Sequence, residues 1–121
     1  MELRFREKEN NPDKHYWAEP IGFEIFVCFI LVFLWLNQTG PSTRISEDQG
    51  TQTFVFATAY GALAHFSRQW PGGSVNPAYA VAQDVWNFVD TGEEDAIKFI
   101  LLYIVCPFVG MGIATLLHYF V

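Results

Sequence analysis

A chain of 121 residues that is 51% hydrophobic and 17% aromatic, with a formal charge of −6, has room for one domain and an unusually apolar one. The acidic balance lacks the basic surface that nucleic-acid binding requires, so no nucleic-acid partner is expected. The apolar residues are gathered into runs rather than alternating or amphipathic patterns, which excludes an ordinary soluble enzyme and points to a membrane protein.

Residues 1–15 form a charged arm punctuated by Asn10, Asn11 and Pro12. Acids and bases alternate in it, so it reads neither as a secretory leader nor as a transit peptide. The first membrane span is expected over residues 16–37. Its core, Ile21 to Leu36, reads IGFEIFVCFILVFLWL and carries a single charge, Glu24. Tyr16 and Trp17 extend it to an aromatic belt at the interface. Asn37 to Pro41 stops the helix, and a polar loop follows to about Gln52.

A second span is expected over residues 53–67, TFVFATAYGALAHFS. It is short, and so expected to be tilted or enclosed by neighbours. Ala57 and Gly61 lie four apart on it, as Gly110 and Ala114 do on the third. Small residues at that spacing let membrane helices approach closely, and both pairs are expected to serve helix packing.

Trp70, Pro71, Gly72 and Gly73 then break the pattern. Asn76 is a good N-cap and Pro77 suits the first helical position, so a helix is expected over residues 76–89. At 1.5 Å per residue it covers about half a bilayer of roughly 30 Å. Asp90, Thr91 and Gly92 end it. A third span, residues 96–121, includes the uncharged run FILLYIVCPFVGMGIATLLHYFV from Phe99.

A half helix starting at mid-membrane is tolerated where protein or water encloses its exposed end. Such an end has four N–H groups without intrahelical partners and a partly positive dipole. The Asn76 amide adds two donors. Donors beside a water file, disfavouring cations, are the chemistry of a water or small-solute pore. Glu24 is costly inside an apolar span; it either has a partner facing the bundle interior or lies near the edge and reaches water. Cys28 and Cys106 read as small apolar side chains, and His15, His65 and His118 are too scattered to act together. No catalytic residues, metal ligands or cofactor are expected, and an enzymatic role has no support.

Gly72-Gly73-x-x-Asn76-Pro77-Ala78, followed by a half helix, resembles the aquaporin (major intrinsic protein) family. Glu24 to Phe33 is similar to the Glu-x-x-x-x-Phe-x-Leu-Val-Phe pattern of the family's repeat-opening helix. Leu102 to Val105, continuing through Gly110 and Ala114, resembles its closing helix. The resemblance implies an all-α membrane fold of three transmembrane helices plus one re-entrant half helix, over residues 16–121. It implies that Asn76 is a water-facing amide, that Pro77 and Ala78 seat the half helix, and that Glu24 is a buried structural acid bonded to the re-entrant loop.

Family members combine two inverted repeats, whereas these residues match one. Tyr79 stands where the family's second repeat carries a filter Arg. Arg4, Arg6, Lys8, Lys14, Arg68 and Lys98 fall on one face and Arg44 on the other, which places the N-terminus and the loop on the cytoplasmic or matrix side. The expected function is therefore an accessory, structural subunit of a larger membrane complex, with other membrane subunits and lipid as partners. The alternative is a channel completed by a second copy or a partner half-repeat chain. The composition is compatible with an organellar inner membrane, the mitochondrial one among them.

Overall fold

The computed structural model describes residues 18–67, 75–92, 97 and 100–121. The charged arm, the interfacial Tyr16 and Trp17, the break at Trp70 to Gly73, and the first residues of the expected third span lie outside them. Four helices make up the described residues, and no strand occurs among them: α1 (Ala18–Thr39), α2 (Gln49–Ser67), α3 (Pro77–Thr91) and α4 (Ile100–Phe120). Two of these are long and apolar enough to cross a membrane, α1 from Pro20 to Thr39 and α4. The helix α2 is not. Its first turn extends back to Gln49 rather than starting at Thr53, and Gln49, Gln52, Thr58 and His65 dilute its apolar content.

Each helix end has a local cause. Pro20 sits in the first turn of α1, where a missing N–H does no harm. At the other end Asn37 Nδ2 donates to Phe33 O at 2.8 Å, Thr39 Oγ1 to Trp35 O at 2.9 Å and Gly40 N to Leu36 O at 2.8 Å. The Gly40 bond, and that of Thr43 Oγ1 to Asn37 O at 2.9 Å, occupy carbonyls that a helix end leaves without partners. The start of α2 is capped by Asp48, whose Oδ2 accepts the N–H and the hydroxyl of Thr51, both at 2.7 Å. Gly92, in the left-handed region at φ 70°, ends α3, with its N–H donating to Phe88 O.

The most extensive packing joins α1 to α4. Their C-terminal ends meet at Gly40 and His118, and further back Gly110 faces Ile25, Cys28 and Phe29, so the two run parallel. A Cβ at Gly110 would run into the Ile25 carbonyl oxygen and approach Phe29 N to 3.0 Å. The backbones touch here because Gly110 has no side chain. Ala114, one turn on, is fully buried.

The small residues of α2 behave differently. Phe56, Tyr60 and Leu63 turn toward a core of Val27, Leu31 and Val75. Ala57 and Gly61 each follow one of these residues, about 100° further round the helix. Both are consequently exposed, and a Cβ at Gly61 would meet nothing within 4 Å. The close helix approach expected at this pair is not made within the described residues.

Two outcomes follow. Gly110→Ala should lower stability in detergent by about 2 kcal/mol through overpacking, measured by thermal unfolding, while Gly112→Ala, which points into open space, should not. The Thr51 hydroxyl, and next its backbone N–H, hold the Asp48 carboxyl below the usual carboxylate range. The folded-state value is thus the lower one. Its stabilisation is present above the ordinary carboxylate value and is lost as pH falls through the depressed one. The Thr51 amide resonance should follow that low-pH transition by NMR, and Asp48→Asn should abolish it.

Candidate functional site

The site is the turn that launches α3. Glu24, on the inner face of α1, is fully buried, and its Oε1 accepts the Val75 N–H at 3.1 Å. Burying a carboxylate in apolar surroundings is costly unless it is hydrogen-bonded, and this bond supplies part of that compensation. It spans 51 positions of sequence and ties α1 to the start of α3. Val75 itself is buried and has φ 56°, in the left-handed region that β-branched residues avoid. Such a conformation costs on the order of 1–3 kcal/mol and persists where its surroundings dictate it.

Asn76 follows in extended conformation, φ −143° and ψ 111°, as the N-cap of α3. Its Oδ1 accepts the Ala78 N–H at 3.0 Å and the Tyr79 N–H at 3.4 Å, and its backbone carbonyl accepts the Ala80 N–H at 3.0 Å. Pro77 has no N–H to offer. These bonds revise the expectation that the helix start presents free backbone donors. All the N–H groups of the first turn are occupied by Asn76. What the turn can offer to a neighbour is the Asn76 side-chain NH2, together with the dipole of α3.

Asn76 and Pro77 border a groove of about 440 Å³. Trp35, Phe56, Tyr60, Val75 and Met111 line it, so its chemistry is mainly apolar and aromatic, with polar groups on Asn76, Tyr60 and Trp35. Trp35 and Phe56 meet edge to face, with ring centroids 4.8 Å apart at 64°, which fixes one wall. Ala78 and Tyr79 lie on the exposed side of α3. The structure thus brings Glu24, Asn76 and Pro77 together around Val75. It places Gly110 of α4 against Ile25, Cys28 and Phe29 of α1, and leaves Ala57 and Gly61 outside.

Val75 and the aromatic wall are absent from the sequence reading. Nothing in the local sequence identifies Val75, since its residue type argues against its conformation. The aromatic wall is assembled from α1 and α2, with Met111 of α4 beside it, and no single stretch carries it. Among the described residues no cluster of three or more His, Cys, Asp or Glu side chains could hold a metal ion. Cys28 and Cys106 are free thiols, both buried.

The Major intrinsic protein family model matches residues 4–118, nearly the whole chain, and the chain belongs to that family. Its members are membrane channels, not enzymes. Together with the apolar α1 and α4, this makes the chain an integral membrane protein with an aquaporin-like channel fold. No curated protein and no solved structure matches it.

Two substitutions separate the roles at the turn. Glu24→Gln retains an acceptor for the Val75 N–H and should leave stability near that of the parent. Glu24→Leu leaves that N–H buried without its acceptor and should cost about 2 kcal/mol by thermal unfolding in detergent. Asn76→Ala should lose about 1 kcal/mol of helix capping, whereas Asn76→Ser, with a hydroxyl that caps equally well, should not.

Proposed function

We propose that the chain is a membrane-embedded accessory subunit, built as one aquaporin-like half, that works by packing against other membrane chains. In this reading residues 1–15 are a surface arm and residues 16–121 the half-repeat. The helices α1, α2 and α4 cross the membrane, and α3 is the re-entrant half helix begun at Asn76, Pro77 and Ala78. The basic residues place the arm and the re-entrant loop on the cytoplasmic or matrix side, and a mitochondrial inner membrane fits the composition.

One observation carries the accessory reading: the groove in front of Asn76 is lined predominantly by apolar and aromatic side chains, with polar side-chain groups on Asn76, Tyr60 and Trp35 alone. Such a surface favours the side chains of another helix over a file of water, which needs a succession of polar partners. The composition of α2 supports it as well. A helix with Thr58, His65 and the exposed Ala57 and Gly61 on its outer side suits a protein neighbour better than lipid.

A specific observation favours the second reading, a water or small-solute path completed by a second copy or a partner half-repeat. Asn76, whose Oδ1 does the capping and leaves its NH2 for another partner, lines the groove at the positive end of α3. Native mass and subunit content in mild detergent distinguish the two. The accessory reading expects migration with unlike subunits in one large particle, and proteoliposomes of the purified chain that swell no faster than empty ones. A small homo-oligomer whose swelling rate depends on Asn76 would contradict it and establish the channel.

A further inference from the structure

We propose that Cys28 is a positioning residue for the Asn76 turn, its thiol donating to the Val75 carbonyl. Glu24 and Cys28 are four residues apart on α1 and therefore share one helix face, one turn above the other. Both are buried, Cys28 to 1% exposure. The Glu24 carboxylate takes the Val75 N–H at 3.1 Å, and the Cys28 Sγ lies 3.8 Å from the Val75 carbonyl oxygen. A single turn of α1 thereby holds both backbone groups of one residue. That residue is the one whose φ of 56° is unfavourable for its side chain.

The two contacts have complementary polarity. A carboxylate only accepts and can hold an N–H, whereas a thiol carries the S–H needed for a carbonyl. With both ends of Val75 fixed, the next residue, Asn76, has its backbone direction set, and with it the direction of its amide. The thiol bond is weak by itself. Its effect is to fix orientation: Glu24 holds the peptide unit that enters Val75, and the thiol holds the carbonyl of the unit that leads into Asn76.

A competing account is that Cys28 is merely small. The α4 backbone presses on it, a Cβ at Gly110 coming within 3.2 Å of the Cys28 Cβ. Size and donation make different demands. Alanine and serine are both no larger than cysteine, and serine alone keeps a donor.

The test begins with the intact chain in detergent, carrying Cys106→Ala so that one thiol remains. The S–H stretch of Cys28, read by infrared absorption, should lie below its position in the unfolded chain. Coincidence of the two positions would overturn the proposal. Hydrogen exchange at the amides of Ala78, Tyr79 and Ala80 supplies the second readout. Cys28→Ala should speed it about threefold, in keeping with loss of one weak bond, and Cys28→Ser should restore the parent rate. Equal rates in the two variants would assign Cys28 to size alone. The proposal deepens the assembly reading by naming what sets the Asn76 amide, yet neither readout depends on partners. Its failure would leave that reading standing, and a finding of channel activity would leave the thiol contact standing.

Discussion

The arrangement depends on one hydrogen bond between distant parts of the chain, from the Val75 N–H to the buried carboxylate of Glu24. It crosses from the second turn of α1 to the residue before the N-cap of α3, in surroundings where water cannot substitute for either partner. A backbone turn placed there needs partners for its polar groups, and a buried carboxylate needs donors. The bond meets part of both requirements. The unfavourable φ of Val75 is tolerated because its N–H is tied to Glu24 and its side chain fills the core with Val27 and Leu31. Once Val75 is fixed, Asn76 caps α3, and the groove acquires its amide.

Close approach of α1 and α4 supports this bond from behind. Gly110 lets the α4 backbone reach Ile25 and Phe29, which holds the Glu24 turn of α1 in place. The helix α2 adds Phe56, Tyr60 and Leu63 to the same core from the other side. Its remaining face is uncovered among the described residues. In the proposed reading, a neighbouring chain sits against the aromatic groove and the small-residue side of α2.

Much of this was legible in the sequence for identifiable reasons. The apolar spans of α1 and α4, 20 and 21 residues, match what a bilayer requires, and they stand out on composition alone. Asn76-Pro77 announces a helix start because cap and first-turn chemistry are local. The family, too, was legible from Gly72 to Ala78 and from the pattern at Glu24. What could not be read depends on three-dimensional neighbours. Which face of α2 turns inward is decided by Phe56, Tyr60 and Leu63, and Ala57 and Gly61 offered an equally plausible stripe. The capping of all first-turn donors by Asn76 depends on a side-chain rotamer, and the Val75 conformation contradicts its own residue preference.

The central claim is that the groove before Asn76 is a protein-packing surface. A density map of the native assembly, resolved well enough to place side chains around Trp35, Phe56 and Tyr60, tests it most directly. The account expects side chains of another membrane chain to fill the groove and close over the Asn76 amide. A continuous file of water running past Asn76, walled by a second half-repeat, would contradict it.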